Sequence, residues 1–173
     1  MVANKPTLLI SRCLLGETVR YDGRSKGDPE LVTAIQPHCQ LQPICPEVEA
    51  GLSTPRPSVE LVQTGQTISA RGRDEHSLDV THQLQQFTTQ FITQQPPIHG
   101  AILQNHSPSC GVEDTPLFSE EGEQLQTIDG LFTSALRATY PALPITSAET
   151  VSSPKGLQQF LNQVAAYYIT SPR

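Results

Sequence analysis

Thiols and a carboxylate occur in this 173-residue chain where short apolar runs give out. The run Leu8-Leu9-Ile10 leads into Ser11-Arg12-Cys13-Leu14-Leu15-Gly16. Leu41 to Ile44 leads into Cys45-Pro46-Glu47, and Ile98 to Leu103 is followed by Asn105-His106-Ser107-Pro108-Ser109-Cys110-Gly111. A short apolar run closed by a small-residue loop reads as a buried strand that delivers its side chains to the carboxyl edge of a sheet. Three such strands can bring Cys13, Cys45 and Cys110 to one point. Zinc modules usually present two cysteines separated by two residues, because a tight turn aims both thiolates at one ion, and that spacing is absent here. Singly placed thiolates on separate loops suit an iron-sulfur cube, in which three protein thiolates leave one iron without a protein ligand. An open iron is a Lewis acid that can bind substrate. The same residues are compatible with three unrelated buried cysteines, or with one nucleophilic cysteine and a histidine partner.

Composition bounds the rest. The length fits one domain, residues 1–173, with room for a core. The 15 prolines and 11 glycines predict long, shaped loops rather than a plain bundle. No run of about 18 apolar residues exists, and the start Met1-Val2-Ala3-Asn4-Lys5-Pro6 lacks the apolar segment of a signal peptide, so a soluble cytoplasmic protein with no membrane partner is expected. In that reducing compartment four cysteines favour metal binding, catalysis or simple burial over disulfides. A net charge of -6 argues against a broad nucleic-acid surface. The basic residues Arg12, Arg20, Arg24 and Lys26 are interleaved by Glu17, Asp22 and Asp28 and read as a solvated face.

The positioning elements alternate. Thr7 to Ser11 is the first strand, and Asp28 with Pro29 starts a helix through Ile35. Leu41 to Ile44 follows as a parallel neighbour reached by a right-handed crossover. Pro46 to Pro57 is expected to be a long irregular loop, and Thr64 to Arg73 has hairpin character with a short strand at Thr67-Ile68-Ser69. From Asp79, the positions Val80, Leu84, Phe87, Phe91 and Ile92 recur at helical intervals until Pro96-Pro97. Strand Ile98 to Leu103 follows, then a surface hairpin or flap over Val112 to Gln126. A helix capped by Asp129 runs from Gly130 to Thr139, a short strand covers Pro144 to Thr146, and Ser153-Pro154 opens a last amphipathic helix. The expected fold is α/β: a small open, mostly parallel, Rossmann-like sheet with flanking helices and an active site at the strand carboxyl ends.

The segments Ser11 to Gly16, Arg20-Tyr21-Asp22-Gly23, Cys45-Pro46-Glu47, Gly51-Leu52-Ser53-Thr54-Pro55-Arg56-Pro57 and Ser107 to Gly111 together resemble the signature of the bacterial thiouracil desulfidase family, over about residues 7 to 147. The resemblance implies a [4Fe-4S] cluster with one open iron held by Cys13, Cys45 and Cys110, and catalytic roles for Glu47 and Ser107. Two departures stand out. Gln104 occupies a position where relatives often carry lysine, and Val19 one where many carry a further cysteine. Cys39 matches no motif and reads as structural.

The implied reaction is non-redox and hydrolytic, replacing the sulfur of a thiolated pyrimidine by oxygen with release of hydrogen sulfide. A thiocarbonyl sulfur is soft and suits iron in a sulfide-rich cluster. Glu47 is expected to exchange a proton with water or ring, and Ser107 to hydrogen-bond the base or relay that proton. Arg56, rigid between two prolines, and Ser109 are the expected substrate-binding residues. The expected partner is a small free thiobase, with thiouridine in tRNA as the alternative, and the protein is expected to be a monomer or homodimer. A cluster-dependent hydro-lyase and a non-enzymatic metal-binding domain are the rivals from other classes.

Overall fold

The computed structural model describes residues 4–172. In chain order the elements are β1 (Thr7–Ser11), α1 (Pro29–Ile35), β2 (Gln40–Ile44), α2 (Pro46–Glu49), β3 (Val59–Thr64), β4 (Thr67–Gly72), α3 (Thr81–Gln94) and β5 (Gly100–Leu103). They continue with β6 (Thr115–Ser119), β7 (Gln124–Ile128), α4 (Leu131–Thr139), β8 (Ile145–Ser147) and α5 (Pro154–Thr170). Short 3-10 turns cover Arg12–Leu15 and Thr150–Ser152.

One sheet has the order β2-β1-β5-β8, all parallel. Its side chains alternate between two covered faces, as a pleated strand buried on both sides requires. Leu8, Ile10 and Ile102 pack with Leu31 and Ile35 of α1 and with Phe160 and Val164 of α5. Leu9, Ala101 and Leu103 point the other way, into a cluster with Phe132 and Leu136 of α4 and with Phe87 and Phe91 of α3. Each fully buried leucine or isoleucine of this kind contributes about 1.5–3 kcal/mol. The capping signals work as read: Asp28 accepts the Leu31 amide at 3.0 Å, and Ser153 accepts that of Gly156 at 3.0 Å.

The second sheet, β4-β3-β6-β7, is larger than the two hairpins expected from sequence. Each hairpin forms locally, but β3 and β6 pair in parallel through Leu61↔Leu117 and Val62↔Phe118, joining the two into one mixed sheet. Helix α3 packs against both sheets, giving Val80's neighbour Leu84 to the cluster of Leu61, Ala70 and Leu117, and Phe87 and Phe91 to the first core.

Two local expectations are corrected. The segment after Cys45 is not irregular throughout: α2 begins at Pro46, whose fixed φ suits a first helical turn, and the Glu49 carboxylate accepts the Cys45 amide at 2.8 Å. Asp129 does not cap α4. Its carboxylate accepts from Arg137 Nε at 2.7 Å and from the Glu113 amide at 2.9 Å, and Gly130 takes the cap position. No helix among the described residues is long and apolar enough to cross a membrane.

Candidate active site

The register fixes where the parallel strands end. Ser11 lies opposite Ile44, and Ile10 opposite Ile102, so β2, β1 and β5 terminate level with one another as consecutive neighbours. Cys13 follows β1 in its 3-10 turn, Cys45 is the N-cap of α2, and Cys110 lies in the loop after β5. All three line one cavity of about 290 Å³, together with Glu47, Arg56, Gln104 and Ser107. Neighbouring strands are spaced about 4.8 Å apart, so the three strand ends span roughly 10 Å. Among the described residues, no three His, Cys, Asp or Glu side chains are placed to hold a single metal ion.

All four cysteines are free. Burial pushes the Cys13 thiol up to about 11, helped by its neighbour Cys45. Burial also raises Cys45, and it raises Cys110 well above the ordinary range, with Cys45, Glu47 and Cys13 adding to the effect. Cys39, raised to about 11 by burial, packs in the apolar cluster with Leu31 and Ile35 and does not line the cavity. Its structural reading stands. Gln104, where the family resemblance leads one to expect lysine, accepts from Cys13 Sγ at 3.6 Å through Oε1, while its backbone N–H donates to Ser11 Oγ at 2.9 Å.

The loop carrying Ser107 and Cys110 is tied down from two sides. Ser107 Oγ accepts the amides of Cys110 at 3.0 Å and Ser109 at 3.2 Å. The first-turn amides of α4 take loop carbonyls: Leu131 donates to Pro108 and Phe132 to Ser109, each at 2.9 Å. This approach leaves no room at Gly130, where a Cβ would collide with the Ser109 backbone. Asp114 accepts the amides of His106 at 3.0 Å and Val112 at 3.1 Å, and the Asn105 side chain at 3.0 Å. Asp114 was not singled out from sequence, and Asn105 and Gly130 were named only as the first residue of the loop motif and the start of a helix. Their types fit turns, but their partners are set by the fold: Asp114 meets the His106 and Val112 amides, Asn105 meets Asp114 and Glu149, and Gly130 lies against the Ser109 backbone. Ser109 is 1% exposed, its Oγ has no hydrogen-bond partner among the described residues, and it does not line the cavity.

Glu47 stands in the first turn of α2 and pairs with Arg56, whose Nε donates to Oε1 at 3.1 Å. Both side chains are largely buried, at 13% and 5% exposed. Arg56 Nη1 also donates to the Ser53 carbonyl and to Thr54 Oγ1, each at 3.2 Å. The guanidinium expected to meet substrate is thus already committed in large part to holding Glu47 and its own loop. Arg12, Arg20, Lys26 and Arg73 also line the cavity, so its wall is cationic in an acidic chain.

Comparison with known proteins completes the description. The profile of the family described as 2-thiouracil desulfurase matches residues 8–148. The chain belongs to this family. A Bacillus subtilis (strain 168) relative, the uncharacterized protein YbbK, is 30% identical over 110 residues, covering 60% of this chain and 72% of that protein. Among solved structures, the [4Fe-4S]-dependent thiouracil desulfidase TudS is 30% identical and superposes with a TM-score of 0.67, over 90% of this chain and 97% of that one. The parallel sheet with flanking helices is therefore the desulfurase fold, and family and structural neighbour both support thiouracil desulfuration as the activity.

Proposed function

We propose that this chain hydrolytically replaces the sulfur of a thiolated pyrimidine by oxygen, using a [4Fe-4S] cluster held by Cys13, Cys45 and Cys110. The observation that carries the reading is the cavity in which three thiols from three adjacent strand ends meet the paired carboxylate of Glu47. Thiols spread over roughly 10 Å of sheet edge suit a group several atoms wide, with soft sulfur donors matched to iron. When bound, such a cluster with one iron lacking a protein ligand supplies a soft Lewis acid for a thiocarbonyl sulfur.

The chain's own residues do the rest. Glu47, held at Oε1 by Arg56, takes a proton from the attacking water and returns it to the departing sulfur or the ring. Ser107 Oγ already accepts two loop amides, which uses both its lone pairs and leaves its O–H as a donor toward a ring heteroatom. The carbon–sulfur bond breaks, a carbon–oxygen bond forms from water, sulfur leaves as hydrogen sulfide, and no electron is consumed. Free thiols and an iron-sulfur group suit the reducing cytoplasm.

The preferred substrate is the free base, 2-thiouracil or 4-thiouracil, in keeping with the net charge of -6. Thiouridine within tRNA is the second reading, favoured by the cationic residues Arg12, Arg20, Lys26, Arg56 and Arg73 around the cavity. Anaerobically reconstituted protein should bind about four irons and four acid-labile sulfides, as one cube requires. It should also release sulfide from free thiouracil at a rate insensitive to salt. Stoichiometric zinc without labile sulfide would defeat the cluster assignment. Salt-sensitive release from 2-thiouridine tRNA, with none from the free base, would select the second reading.

A further inference from the structure

We propose that Tyr21 is the platform on which the thiolated pyrimidine ring stacks, and that it sets the affinity for planar bases; this rests on the activity proposed above. Three large apolar side chains are exposed among the described residues, Tyr21, Leu125 and Ile169, and of these only Tyr21 lines the cavity that holds the three thiols. Apart from the His106 imidazole, its ring is the one aromatic surface in that lining. An aromatic residue left 41% exposed in the lining of a concave site costs solvation that a bound planar ring would recover.

Its position is fixed without being buried. Gly23, at φ +73, closes a tight turn in which the Gly23 amide donates to the Arg20 carbonyl at 2.9 Å and the Arg24 amide to Asp22 Oδ1 at 3.0 Å. The Arg20 guanidinium carbon lies 5.9 Å from the ring centroid. The Tyr21 carbonyl accepts the Arg56 amide at 2.8 Å, and the same Arg56 holds Glu47 through its side chain. One arginine therefore ties both the Tyr21 backbone, through its own amide, and the proposed proton-transfer group, through its side chain, to the same loop.

Holoprotein is compared as wild type, Tyr21→Phe, Tyr21→Leu and Tyr21→Ala. The readouts are KM and kcat on 2-thiouracil, and binding of uracil and of 5,6-dihydrouracil, whose ring is puckered and lacks the π face. Tyr21→Ala and Tyr21→Leu should weaken uracil binding and raise KM by about tenfold or more, the scale of one lost base–aromatic stack. In both variants kcat and the visible cluster absorption should stay near wild type, and dihydrouracil binding should barely change. Tyr21→Phe should restore the preference for uracil. Equal weakening toward both rings, or no change in Tyr21→Leu, overturns the platform. The binding arm needs no turnover, so a wild type that binds uracil but releases no sulfide defeats the activity while still deciding the platform; a wild type that binds neither ring defeats both.

Discussion

At the scale of residues, the Glu47–Arg56 pair divides labour that sequence had assigned to two independent groups. Replacing Glu47 by Gln keeps the shape of the side chain and removes proton exchange at neutral pH. The variant should keep its iron and labile sulfide while its rate falls on the order of a hundredfold or more. Arg56→Met should act differently. It leaves a largely buried carboxylate without its partner, and urea denaturation should show a loss of about 3 kcal/mol, because removing one member of such a pair strands the other. An Arg56→Met protein as stable as wild type would mean the pair is only a surface contact. The thiols give a pH prediction. Cys13 and Cys39 keep their protons in the folded apoprotein to about pH 11, whereas the unfolded chain loses them near pH 9. Between those values the folded state binds more protons, so apoprotein stability should fall as pH rises through that window. Ligation needs thiolates, so cluster assembly should quicken as pH rises from 7 to 9, with protons released as it proceeds. The convergence of the three cysteines was legible because each lies in a loop that follows an apolar run, whereas the part given to Glu47 came only from the family resemblance. The commitment of Arg56 to Glu47 was not, because the eight residues between them, two ending α2 and six in loop, carry no periodic signal.

At the scale of elements, the sequence signals that worked were local ones. Asp28-Pro29 and Ser153-Pro154 start helices through their own side chains, and the level ends of β1, β2 and β5 follow from parallel pairing. Long-range pairings were not readable. The two hairpins announced themselves, but nothing in Val59 to Val62 names Leu117 and Phe118 as its partners, since any half-buried strand of that pattern would pair as well. The first turn of α4 shows the same limit. Its amides go to the loop that carries Cys110, and only the short distance across Gly130 makes that possible. Gly130→Ala should therefore displace the Ser107–Cys110 loop without altering any proposed ligand. Its expected signature is sub-stoichiometric iron after reconstitution with near-native far-ultraviolet circular dichroism. Full iron content in this variant would show that the loop position does not depend on the close approach.

At the scale of the whole molecule, charge and shape oppose one another: the chain carries -6 overall, yet the charged side chains around its thiol cavity are mainly cationic. That distribution concentrates attraction for a small anionic or polar ligand at one mouth while the remaining surface repels polyanions. The parallel sheet supplies the three thiols, and Ser58 and Val59 at the start of β3 bring the mixed sheet to the same cavity wall. Between the two sheets lies α3, with Leu84 in one apolar cluster and Phe87 and Phe91 in the other. A helix that is a wall of two cores cannot leave one of them alone. Its loss would expose both, so neither sheet should persist as an autonomous fragment, and cutting the chain within α3 should yield two unfolded peptides. In denaturant, tyrosine fluorescence, to which Tyr140 and Tyr167 packed against the first core contribute, and far-ultraviolet circular dichroism, reporting on all elements, should trace a single coincident transition. Leu84→Ala should shift both curves together by the same 2–5 kcal/mol that a buried leucine truncation costs, roughly, in any close-packed core.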